Sequence, residues 1–141
     1  LAMISPMRMV GITAMFCIPA CTGVPKSTEP LFGVWVVEDI AGRDIIVYSR
    51  IELVLEHDGQ LSGSTGCNLL LGRYRVDGSA MTIEVATTTR KVCPEALMYQ
   101  ERVFLGAIDS IDSYRFDPTG ALMLQDGDQP WVLAQSHKRR S

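Results

Sequence analysis

Apolar and polar positions alternate with a period of two through most of residues 31–135, and one segment breaks that rhythm. Gly33-Val34-Trp35-Val36-Val37 is rich in β-branched and aromatic residues, as is Ile51-Glu52-Leu53-Val54-Leu55. Such runs favour the pleated, half-buried surface of a sheet. Asp58-Gly59 follows as a turn, and Gln60-Leu61-Ser62-Gly63 starts a return strand, which together read as a hairpin. Tyr74–Val76 and Met81–Val85 predict a second hairpin across Asp77-Gly78. Ser113–Phe116 and Leu122–Leu124 flank Asp117-Pro118-Thr119-Gly120, where Pro at the second place and Gly at the fourth suit a type I turn. Asp126-Gly127-Asp128 then turns the chain into Trp131-Val132-Leu133.

From Pro94 to Ile111 the spacing changes. Leu97, Phe104, Ile108 and Ile111, with Met98 and Leu105 beside them, recur every three or four residues, the mark of an amphipathic helix. Pro94 suits the first helical position, and Glu95 suits the positive end of the dipole. Strands, one helix, then strands predict an α+β fold of mostly antiparallel β structure. Its curved or barrel-like sheet would pack against the helix and leave few exposed edges. With 141 residues and 47% apolar side chains the chain can bury one core, so a single domain is expected. A formal charge of −3 is too mild to predict a nucleic-acid partner.

An ordered set of short motifs runs through the domain: Gly33-x-Trp35, Asp58-Gly59-x-Leu61-x-Gly63, Gly66-Cys67-Asn68, Gly72 and Tyr74. Thr87-Thr88-Thr89-Arg90 follows, then Cys93 and a helix carrying Glu101 and Phe104. In this order and at these spacings the set resembles the META domain, the domain of the HslJ-like heat-shock lipoproteins. That resemblance implies a non-catalytic role in stress tolerance or envelope maintenance, with an envelope protein or a small apolar molecule as the bound partner.

The first residues read differently. Arg8 precedes the short apolar run Val10–Phe16, which leads to Ile18-Pro19-Ala20-Cys21. This is the form of a secretory leader, and the run is too short for a permanent membrane span. A small residue directly before a cysteine resembles the lipobox of bacterial lipoproteins, in which the chain is cut before the cysteine and that cysteine carries the lipid. Cys21 fits better than Cys17, because Ala20 suits the position before the cut and Phe16 does not. Ile18 where Leu is usual, Pro19 beside it, and a single basic residue depart from the pattern. Residues 1–20 are thus expected to be the signal, residues 21–30 a Pro- and Gly-containing tether, residues 31–135 the domain and residues 136–141 a basic tail. Thr22 after the cysteine resembles export to the outer membrane, with the domain facing the periplasm.

The remaining thiols, Cys67 and Cys93, would meet an oxidising compartment, where pairing is expected; two buried free thiols, acting as small apolar residues, are the alternative. Two cysteines and the single in-domain histidine, His57, do not reach a zinc spacing, and there is no phosphate loop or dinucleotide fingerprint, so neither metal nor cofactor is expected. His57 is expected in a solvated turn.

Glu101 stands inside the apolar stripe of the helix, where a carboxylate is costly unless partnered. Arg90 is the expected ion-pair partner, with a carboxylate capping loop amides as the other structural option and a general base in a pocket as the catalytic one. Asn68 can adopt left-handed angles and bond neighbouring amides. Leu69-Leu70-Leu71 reads as core strand or as an exposed docking patch. Three functions remain open at this stage: a lipid-anchored binding module, a lipocalin-like carrier, and an enzyme using Glu101. A packed interior with an exposed apolar patch favours the first, an apolar cavity the second, and a solvent-open Glu101 in a polar cleft the third.

Overall fold

The computed structural model describes residues 31–137. The elements in chain order are β1 (Gly33–Ile40), β2 (Arg43–Asp44), β3 (Ile51–Leu55), β4 (Gln60–Thr65), β5 (Leu69–Asp77), β6 (Ala80–Thr88), α1 (Glu95–Asp109), β7 (Ser113–Phe116), β8 (Leu122–Asp126) and β9 (Gln129–Ser136). The nine strands form one antiparallel sheet in sequence order, apart from β2 lying outside β1, and β9 returns to pair with β1. The sheet is therefore ring-like, but it is not a barrel. Its weak point is β6–β7, which pair only through Ala80 and Ser113. The helix packs across the concave side against β6, β9, β1 and β4.

One apolar cluster holds the layers together: Trp35, Ile51, Leu53 and Leu61 from the first half of the sheet, Leu122, Leu124 and Val132 from the second, and Phe104 and Ile108 from the helix. Burial of such side chains is the main favourable term in folding. The apolar period of β1 slips from Trp35 and Val37 to Ile40, and the cause is a bulge between Val37 and Asp39 opposite β9 that returns Ile40 to the interior. Trp35 is core, and its indole Nε1 donates to the carbonyl of Leu31 at 2.8 Å. Trp131 is partly buried against the same cluster. His57 stacks on Phe32, with ring centroids 3.6 Å apart.

Several boundaries differ from the sequence reading. Asp77 pairs with Ala80, so the second hairpin turns on Gly78-Ser79, with Gly78 at φ 59°. Gly at the first central position with a negative φ after it is the II′ arrangement that suits the twist of a hairpin. Pro94 lies one place before the helix, at φ −51° and ψ 145°, and Glu95 is the first helical residue. The Leu69–Leu71 run is strand, but only Leu70 is core; Leu69 and Leu71 are 62% and 57% exposed. β9 extends to Ser136, and the amide of His137 still donates to Val34. The expected signal, tether, Cys17, Cys21 and the residues of the basic tail beyond His137 lie outside the described residues.

Two glycines let strands approach closely. A Cβ on Gly63 would overlap the carbonyl of Glu52, and one on Gly72 the carbonyl of Glu84. Both obstacles are backbone, so neither can swing aside. Gly106, on α1, faces open space.

Gly72→Ala should therefore lower stability by about 2 kcal/mol or more, the cost of overpacking. Gly106→Ala should raise it by about 0.5–1 kcal/mol through helix propensity. Urea unfolding of both variants checks the pair, and equal effects of one sign would contradict the geometry. A second expectation concerns the β7–β8 turn. Asp117 Oδ1 accepts from Thr119 Oγ1 at 2.6 Å, the Thr119 amide at 2.8 Å and the Ala121 amide at 3.0 Å. The Thr119 hydroxyl first, and then the Ala121 and Thr119 amides, hold the Asp117 carboxyl below its ordinary value of 3.8 against the opposing effect of burial. A lowered folded-state pKa contributes stability above the ordinary value, and that contribution is lost as pH falls through the lowered one. Asp117→Asn keeps an acceptor without a titration, so the variant should lose less stability than the parent when acid unfolding is followed downward from pH 3.8.

Candidate functional site

The β4–β5 turn is built around a threonine and an asparagine. The Thr65 amide donates to the Asn68 carbonyl at 2.8 Å, and the Asn68 amide donates to Thr65 Oγ1 at 2.8 Å. Gly66 takes the left-handed position at φ 88°, while Asn68, for which the sequence allowed that role, does not. Gly66 is needed for a second reason: a Cβ there would overlap Ser49 Oγ. The turn thereby holds Cys67 and Asn68 inward, 9% and 5% exposed.

Cys67 is disulfide-bonded to Cys93, closing a separation of 26 residues with Cα atoms 6.0 Å apart. Chain entropy gives such a closure about 3–4 kcal/mol. Beside it, the Asn68 side chain makes a full set of bonds. Its Oδ1 accepts from the Lys91 amide at 2.6 Å and from Thr89 Oγ1 at 2.9 Å. Its Nδ2 donates to Glu101 Oε1 and Oε2 at 3.1 and 3.0 Å. Glu101 Oε2 also accepts a hydrogen bond from the Thr65 hydroxyl. That hydroxyl has one proton and takes the Asn68 amide on a lone pair, so the carboxylate, the stronger acceptor, claims the proton over the Asn68 carbonyl.

The ion pair expected between Arg90 and Glu101 does not form. The salt bridge found among the described residues joins Arg50 and Glu52. Arg90 is exposed and lines the cleft between β6 and α1. The physical reason is that Asn68 and Thr65 approach Glu101 from the turn and supply its hydrogen bonds there. The Arg90 guanidinium would otherwise have to leave water to reach a half-buried group.

The residue before Glu101 was not singled out by the sequence reading, yet it fastens a second loop. Gln100 is 8% exposed. Its Oε1 accepts from the Ile46 amide at 2.9 Å and its Nε2 donates to Ser49 Oγ at 2.8 Å. A polar residue at a buried helical position was the available signal. Gln100 and Glu101 together tie residues 45–49, the 66–68 turn and the 89–93 segment to the first half of α1.

This arrangement offers no open catalytic set. Cys67 is oxidised, Thr65 is fully buried, and the Glu101 oxygens accept hydrogen bonds from Thr65 and Asn68. A general base must instead reach a substrate proton. Among the described residues no group of three or more His, Cys, Asp or Glu is placed to hold a metal. What the tied loops do present is apolar surface. Val47, Tyr48, Val92, Leu69 and Tyr99 are 100%, 73%, 91%, 62% and 52% exposed. All five stand on the tied loops, the adjoining start of β5 or the first half of α1. Next to them is a socket of about 230 Å³ lined by Ile40, Ile45, Ile46, Tyr99 and Val103.

A family model described as the META domain matches residues 29–138. Among curated proteins, none matches the chain. Two solved structures share the fold. One is a DUF4847 family protein from Bacteroides vulgatus, at TM-score 0.58 and 16% identity, covering 77% of this chain and 94% of that one. The other is a protein from Burkholderia xenovorans solved by NMR, at TM-score 0.61 and 22% identity, covering 76% and 83%.

Glu101→Gln tests the fastening. An amide in that place directs one N–H group at the Asn68 and Thr65 donors, so stability should fall by about 1–3 kcal/mol. Denaturant unfolding of the oxidised protein measures it, and an unchanged midpoint would show that the carboxylate fastens nothing.

Proposed function

Because this chain belongs to the META domain family, we propose that it is a non-catalytic domain of the bacterial cell envelope that docks a partner protein through the apolar rim around the Cys67–Cys93 staple. The supporting observation is the placement of Val47, Tyr48, Leu69, Val92 and Tyr99 on segments fixed by that staple and by Gln100. Exposed apolar groups gathered at one place mark interaction surfaces. Holding them rigid before contact lowers the ordering cost of binding. The socket of about 230 Å³ is smaller than ordinary small-molecule sites, and it suits one apolar side chain of the partner as an anchor.

The lipocalin-like carrier is disfavoured because Phe104 and Ile108 of the helix, both fully buried, fill the concave side of the sheet. The enzyme reading is disfavoured because Glu101 faces Asn68 and Thr65. The anchoring belongs to the same proposal: lipid on Cys21 after removal of residues 1–20, an outer-membrane position facing the periplasm, and a role in stress tolerance or envelope maintenance. Its support is the Ala20-Cys21 pattern and the family.

Intact mass of protein extracted from the envelope tests the anchor. The expected species starts at Cys21, carries an acyl increment and lacks two hydrogens for the disulfide; an unlipidated mass with free thiols would sink the anchored reading. A photo-cross-linker at Val92 tests the rim. It should give a discrete adduct in intact cells while one at Val76, at the far end of β5, gives none. Equal yields at both places would rule the rim out as the docking face.

A further inference from the structure

The edge of β6 beyond its junction with β7 is unpaired, and α1 runs beside it. Asp77 and Ala80 close the β5–β6 hairpin, so Ala80, Thr82 and Glu84 turn their backbone groups toward β5. Met81, Ile83 and Val85 then turn theirs the other way. Met81 shows this directly, since its amide donates to the Asp112 carbonyl at 3.0 Å. Past that point β7 diverges, and among the described residues no strand lies beside Ile83 and Val85. Their N–H and C=O groups face a cleft of about 620 Å³ whose far wall is Leu105, Gly106 and Asp109 of the helix. Gly106 keeps that wall low, because beyond its own stretch of helix no described atom stands within 4 Å of where its Cβ would be.

The cleft carries charge of opposite sign at its two ends. Arg90 stands at the end where β6 finishes, and Asp109 at the end where α1 finishes. Neither has a salt-bridge partner among the described residues. Asp109 also sits in the last turn of the helix, where no basic residue accompanies it and the dipole is already negative. Its charge is unfavourable in isolation and favours an incoming cation.

We propose that this cleft receives an extended segment of a partner protein as an added strand. The main chain of that segment pairs with Ile83 and Val85, a basic side chain reaches Asp109, and an acidic group reaches Arg90. Strand addition to an open edge takes its affinity from backbone hydrogen bonds and its selectivity from the flanking contacts. Charged residues along the edge discourage indiscriminate pairing with other copies. The inference is separate from the rim reading, since Val47, Tyr48, Leu69 and Val92 do not line this cleft.

A random phage-displayed heptapeptide library panned on the full chain tests it. Selected peptides should carry one basic and one acidic residue towards opposite ends. Once synthesised, they should slow hydrogen exchange at the amides of Ile83 and Val85. N-methylation of alternate peptide amides should abolish binding, and Asp109→Lys or Arg90→Glu, both surface changes, should weaken it about tenfold. Failure to select any peptide binding more tightly than about 1 mM would overturn the proposal. So would binding that leaves Ile83 and Val85 exchange unchanged. Binding at the rim alone would register as protection near Val92 instead, so the two sites are told apart.

Discussion

The Asn68 side chain is the point on which the functional end of the molecule depends. It joins three pieces of chain: its own turn, the segment through Thr89 and Lys91 just past the end of the β5–β6 ladder, and the helix through Glu101. A buried amide is favourable only when its donors and acceptor are all met. Here the carbonyl oxygen has two partners and the amide NH2 group is directed at a carboxylate. Each partner fixes the position of another, because Thr65 is held to Glu101 by its hydroxyl and to Asn68 through backbone bonds. The disulfide adds a covalent tie between the same two loops. Removing one member therefore unsettles several.

That fastening answers a problem set by the sheet. The ring of strands narrows to one residue pair between β6 and β7, so the β7-facing edge of β6 is open while its other edge stays on β5. A bulge between Leu71 and Gly72 in the β5–β6 register then displaces the end of β6. Beyond Thr89, whose amide still donates to the Leu69 carbonyl, the chain has no ladder to follow and must still reach the start of α1. Asn68 and Cys67 supply the guidance that a neighbouring strand would otherwise give. The cleft beside β6 follows from the β6–β7 ladder stopping at Ala80, and the apolar rim beside Cys93 from the β5–β6 ladder stopping at Thr88.

Much of this was legible in the sequence because local patterns suffice for it. The strand at Ile51–Leu55 alternates for part of its length and is rich in β-branched and apolar residues, and its observed span is the expected one. The helix followed from the spacing of Phe104 and Ile108, which are fully buried. The META resemblance rests on an ordered set of motifs that includes Gly63 and Gly72, which are required because strands approach too closely for a Cβ. What the sequence could not assign was the partner of Glu101. Charge alone points to Arg90, whereas the geometry places neutral Asn68 and Thr65 at its oxygens. Partner choice depends on which side chains the turn directs inward, and that is set by Gly66 at positive φ. The role of Gln100 is not legible in the sequence because its partners, Ile46 and Ser49, are about fifty residues away and belong to a loop without a pattern. The Leu69–Leu71 run was ambiguous because period-two alternation inside an all-leucine stretch is invisible until the register with β4 is known.

The Lys91 amide reports on the central interaction more directly than any overall stability does. Lys91 is exposed, lies outside the strands and the helix, and its N–H has Asn68 Oδ1 as its acceptor at 2.6 Å. Native-state hydrogen exchange at that one amide, in the oxidised protein and in Asn68→Ala, is the decisive measurement. Protection comparable to the amides of β5, lost in Asn68→Ala while the amides of β3 and β4 keep theirs, is the expected result. Exchange of the Lys91 amide at the rate of an open loop in the unaltered protein would contradict the claim that Asn68 holds this segment to the helix.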